Sequence, residues 1–74
     1  MTTNEITEYC QQVTRARRNF ALCVVELQRE PSLSYVWKDK ADRLQSAIAR
    51  AERFAAFGKF KEAATLLGKE NEPA

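Results

Sequence analysis

Residues 4–34, NEITEYCQQVTRARRNFALCVVELQREPSLS, decide the fold. No Gly or Pro interrupts them between Asn4 and Glu30. Stepping 100° per residue places Ile6, Tyr9, Cys10, Val13, Ala16, Phe20, Cys23, Val24 and Leu27 on one broad arc, with Arg17 the only charged intruder. Thr2, Thr3 and Asn4 are candidate N-caps, and Glu5 and Glu8 put negative charge near the helix N-terminus, where the dipole favours it. Pro31 disfavours helical geometry in the residue before it, so the spacing predicts one helix from about Asn4 to Glu30.

The connection Pro31-Ser32-Leu33-Ser34 is short, which predicts an antiparallel neighbour, and either Ser could cap it. A second helix is predicted from about Tyr35 to Phe57. Val36, Trp37, Ala41, Leu44, Ala47, Ile48, Ala51, Phe54 and Ala55 share its apolar face, and most charged residues lie opposite. Lys40 falls within the apolar arc and should snorkel out near the loop, while Asp39 precedes Arg43 by four residues, the favoured order for a surface ion pair. Alanines at 41, 47, 51 and 55 would let another helix approach closely, and Trp37 would close the loop end. Gly58 reads as a left-handed cap. Phe60, Ala63, Ala64 and Leu67 then predict a short third helix stopped by Gly68, with residues 1–68 as one domain and 69–74 as a frayed polar tail.

Within Ala51 to Leu67, the run Ala-Phe-Gly-Lys-Phe-Lys-Glu-Ala at 56–63 resembles the turn between the two helices of a tetratricopeptide repeat. The resemblance covers under a quarter of the chain and implies local helix-turn-helix packing. It does not carry the repeat's peptide-binding role, because such an array needs about three repeats to bury its core.

The 74 residues, 45% hydrophobic and 30% charged with two Gly and two Pro, suit one small folded domain and exclude a multidomain enzyme. A domain this small buries only about 60% of the surface its unfolded chain exposes, so a second subunit is an early expectation. A helix of about 26 residues would span about 39 Å, whereas a compact globule of this length has a radius of gyration near ~11 Å. The predicted architecture is therefore all-α: a long antiparallel helical hairpin with a short third helix, paired as a homodimer into a four-helix bundle.

Chemistry is scarce. There is no His and no Gly-rich loop, and Glu5, Glu8 and Glu52 have no partner at a spacing that suits acid/base work. Catalysis, cofactors and a metal site are not expected. Cys10 and Cys23 lie roughly 20 Å apart along one helix, too far for a disulfide, and read as small buried hydrophobes. The N-terminus lacks the features of a signal peptide, and no stretch approaches ~20 apolar residues, so a cytoplasmic location without a membrane span is expected.

The informative segment is Ala21-Leu22-Cys23-Val24-Val25-Glu26-Leu27, which is apolar nearly all round the helix. Leu22 and Val25 lie opposite the core arc, in line with Gln11, Arg15, Arg18 and Arg29 at alternating steps of four and three. Arginines around aliphatic anchors match the composition of protein interfaces. Leu22 and Val25 could also pack beneath the third helix or hold two copies together. The partner-binding set is Arg15, Arg18, Leu22, Val25 and Arg29. The alternative is that Arg15, Arg17 and Arg18, with Asn19, grip phosphates of a nucleic acid, although a net charge of +2 provides no general attraction and no aromatic platform accompanies them. In size and helical style the chain resembles the small all-helical proteins with which phages inhibit host proteins, including anti-activators of quorum sensing and anti-defence proteins. That resemblance implies a non-enzymatic regulator that occludes a surface of a larger protein, such as a bacterial transcription activator.

Overall fold

The computed structural model describes residues 3–71, the last by its backbone alone, and they contain three α-helices and no strand. Helix α1 spans Thr3–Arg29, a single 3-10 turn covers Pro31–Leu33, α2 spans Ser34–Ala56 and α3 spans Phe60–Asn71. The fold is all-α, as the apolar periodicity predicts.

Local chemistry explains both corners. Pro31 begins the 3-10 turn, where its missing N–H costs nothing, and the Leu33 N–H donates to the Glu30 carbonyl at 3.0 Å. The turn feeds straight into α2, with the Ser34 N–H donating to the Pro31 carbonyl. Backbone acceptors thus serve donors at the start of α2, and neither serine supplies the expected side-chain cap; Leu33 holds the cap position without one. At the other corner Gly58 has φ 77, the left-handed conformation that glycine adopts without steric cost. The Gly58 N–H donates to the Ala55 carbonyl and the Lys59 N–H to the Phe54 carbonyl, both at 2.9 Å, the paired bonds of a Schellman cap. The Ala63 N–H donates to the Lys59 carbonyl at 3.0 Å, so α3 starts directly after that cap.

This corner folds α3 back along α2 and parallel to α1. Phe60 meets Tyr9 edge-on, with ring centroids 5.5 Å apart, and seven residues later Leu67 is buried in one cluster with Ala16, Ala51 and Ala63. Tyr9, Val13, Ile48 and Leu66 pack around that cluster. The remaining half of the hairpin has only two helices, held by Cys23, Ala41 and Leu44 with Phe20 and Trp37 against them. The molecule is a rod of 45 × 17 × 16 Å with a radius of gyration of 13.2 Å, against about 11 Å for a compact chain of its length. Most of its buried positions are alanines, and Leu67 is the largest side chain fully enclosed. Small residues bring the helices close but bury little apolar area, so the core is narrow.

Several expectations need correction. Ile6 and Cys10, assigned to the core arc, are exposed. The pairing of Arg17 with Glu52 marks the register of the antiparallel helices and places the last residue of α2 beside about residue 13 of α1. The α2-facing flank of α1 before that point therefore has no helix against it. Val36 and Phe54 are also partly exposed, at the rim of the alanine stripe. Gly68 does not stop α3, which continues to Asn71. Its missing side chain faces Gln12, and a Cβ there would meet the Gln12 amide at 3.7 Å, so the residue serves a helix interior and not a cap. Thr3 and Asn4 lie inside α1 and do not cap it, while Thr2 and residues 72–74 fall outside the described residues.

Candidate partner-docking face

The structure settles the two-sided apolar segment of α1. Cys23 is buried against α2, while Leu22 is 56% exposed and Val25 46% exposed on the outer face. Packing beneath α3 is excluded as their cover. That helix lies along the other half of the hairpin, and its last turn reaches only a shallow cleft where Glu70 stands with Asp42, Arg43, Ser46, Ala47 and Arg50. Two aliphatic side chains thus face outward on the half of the molecule that lacks a third helix.

The five residues assigned to partner binding are all exposed, and helical spacing puts them in one line. Arg15 and Arg29, at its two ends, are about 21 Å apart at 1.5 Å rise per residue. Arg29 donates to the Glu26 carboxylate at 3.4 Å, a long contact with a neighbour one turn back. Arg15 and Arg18 form no ion pair with any described carboxylate. The face therefore has an unneutralised cationic end, an aliphatic centre and a partly neutralised cation beyond it.

Arg17 belongs to a different surface. Its guanidinium donates to the Glu52 carboxylate of α2 at 2.6 Å, so the intruder on the core arc is accommodated by a cross-helix ion pair at the edge of the seam. The cluster read from sequence as Arg15, Arg17 and Arg18 is consequently split between two faces. Arg43 pairs with Asp39 at 3.0 Å, as their spacing predicts, and the Lys40 ammonium sits 5.4 Å from the centroid of the Trp37 ring. Those two cations join the loop end of α2 and leave the α1 face alone.

An exposed aromatic residue stands at each corner, outside the partner-binding set. Tyr35 is 73% exposed beside the first corner and Phe57 79% exposed at the second. Tyr35 follows the Pro-Ser-Leu-Ser connection and Phe57 precedes Gly58, so their places at helix ends signalled surface positions. Near the second corner, burial raises the Tyr9 phenol above its ordinary value of 10.0. The Glu52 carboxylate adds to the rise, and Arg17 opposes it.

Among the described residues no three His, Cys, Asp or Glu side chains gather where they could share a metal ion, and no helix is long and apolar enough to cross a membrane. Comparison with protein families, curated proteins and solved structures finds no match for this chain.

Proposed function

We propose that this protein is a small non-enzymatic regulator that binds a larger protein, such as a transcription activator of a bacterial host, and occludes part of its surface. The observation that carries this reading is the exposure of Leu22 and Val25 in line with Arg15 and Arg18, two cations without acidic partners among the described residues. Aliphatic anchors that become fully desolvated provide affinity at interfaces, and surrounding arginines provide orientation. The nucleic-acid alternative loses ground because Arg17 is engaged with Glu52 and the centre of the face is aliphatic.

Pairing of two chains into a four-helix bundle forms part of the same proposal. The surface area of 5416 Å² exceeds the roughly 4,700 Å² expected of a compact monomer of this mass. The excess approaches the ~800 Å² that one partner contributes to a standard interface. Sedimentation equilibrium at micromolar concentration should give about twice the 8.5 kDa chain mass, and a strict monomer would remove the bundle. For the partner surface, Leu22→Asp should abolish capture of the protein retained by the unmodified chain from nuclease-treated bacterial lysate, because the anchor becomes a charge that binding would desolvate. A folded Leu22→Asp protein that keeps that partner at full affinity would refute the docking face.

A further inference from the structure

The docking face has a charge pattern specific enough to define its occupant. We infer that the α1 face of Arg15, Arg18, Leu22, Val25 and Arg29 receives an acidic amphipathic helix of the partner protein, an inference that rests on the function proposed above. Steps of four and three along a straight helix suit a second helix laid alongside, whose apolar residues at i, i+3 or i+4, and i+7 would cover Leu22 and Val25. The flanks of that helix must bring carboxylates to Arg15 and Arg18, which have none among the described residues, and can compete for Arg29, whose contact with Glu26 is long at 3.4 Å. Arg binds carboxylates through two parallel N–H donors, so the contact would fix the register as well as the sign of the partner.

A second copy of the chain fits this face poorly. In a two-fold antiparallel pairing centred on Leu22, Arg15 stands opposite Arg29; centred between Leu22 and Val25, Arg18 stands opposite Arg29. A parallel pairing sets each arginine against its own copy. Each of these pairings sets Arg29 against another arginine, offset in the first by Arg18 standing level with Glu26, so a second copy matches the face less well than a helix carrying carboxylates. The proposed homodimer would then use another part of the open half of the hairpin, which leaves the outer face of α1 available. A phosphate backbone would satisfy the arginines but offers nothing to cover two aliphatic side chains between them.

The test uses the full chain and three probes followed by fluorescence anisotropy: a synthetic helical peptide with a leucine seam and Glu flanks, the same peptide with Lys flanks, and a 20-base-pair DNA duplex. The Glu-flanked peptide should bind at least tenfold tighter than the Lys-flanked one and shift the amide resonances of residues 15–29. The double variant Arg15→Glu with Arg18→Glu should reverse that preference. All these positions are exposed, and circular dichroism on each variant confirms the fold. Equal binding of the two peptides overturns the inference, as does a preference for DNA lost in the arginine variants. Conversion of a dimer to a monomer by Leu22→Asp also overturns it. Binding of the Lys-flanked peptide at Leu22 and Val25 removes the acidic partner yet leaves the docking face standing. If neither peptide moves those amides and Leu22→Asp also retains the lysate partner, the inference and the docking face both fail.

Discussion

The Arg17 guanidinium donates to the Glu52 carboxylate at 2.6 Å, joining residues 35 positions apart at the edge of the α1–α2 seam. The contact marks the register that the buried alanine seam sets and withdraws Arg17 from the cationic run Arg15-Ala16-Arg17-Arg18. Both side chains remain well exposed, so solvent screens the attraction. A double-mutant cycle with Arg17→Gln and Glu52→Gln should therefore give a coupling of only about 0.2–1 kcal/mol in urea unfolding. A coupling of several kcal/mol would mean that the pair is desolvated in solution, as in a dimer seam.

The core makes a sharper demand. Leu67 is 0% exposed within a cluster otherwise built from alanines. Leu67→Ala should cost about 2–5 kcal/mol, through lost burial and the cavity it leaves. Ala51→Leu should also destabilise, by about 1–3 kcal/mol, since Ala51 sits against Ala16 and Ala63 with no room for added carbons. Thermal melts of both variants that match the parent would contradict the placement of α3.

The two glycines should respond in opposite directions. At Gly58, with φ 77, valine is forced into the left-handed region, and Gly58→Val should destabilise by at least about 1–2 kcal/mol. Gly68→Ala places a Cβ at an ordinary 3.7 Å from the Gln12 side chain inside α3 and should stabilise by about 0.5–1 kcal/mol. Chemical denaturation of the pair checks both signs. A loss of stability in Gly68→Ala would return Gly68 to the role of a helix stop.

Tyr9 links stability to alkaline pH. Because burial, and then Glu52, raise its phenol above 10.0 in the folded chain, the unfolded chain loses the proton first. Its contribution is fully present below pH 10 and is lost as pH rises through the higher folded value. The fall in stability above pH 10 should be shallower in Tyr9→Phe, measured by urea titration at stepped pH. An unchanged slope would remove Tyr9 as its source.

The two thiols report the phase of α1. Cys10 is exposed and Cys23 buried, so a maleimide should label Cys10 in the folded protein and Cys23 only after unfolding. Comparable labelling of both in native buffer would mean that the half held by two helices opens readily.

The three helices and the corners at Pro31 and Gly58 were legible in the sequence because their causes are local, whereas the stop expected at Gly68 and the caps expected from the serines and from Thr3 and Asn4 were not found. Apolar residues recurring at helical spacing require a helix; Pro31 cannot continue one, and Gly58 alone takes φ 77 without strain. The line of Arg15, Arg18, Leu22, Val25 and Arg29 is likewise a property of one helix and could be placed from residue numbers alone. Periodicity, however, defines only a direction around the helix axis, and burial depends on what stands in that direction at each level along the rod. Ile6 and Cys10 share an arc with Val13 yet are exposed, since α2 ends before it reaches them. Leu22 and Val25 stand open because they project from the side of α1 opposite the one where Ala16 and Cys23 are buried, and both α2 and α3 pack on that inner side. Arg17 left its neighbouring arginines when helix register brought Glu52 beside it. Sequence determined the elements and their faces, and only the packing of three helices of unequal length decided which parts of those faces are covered.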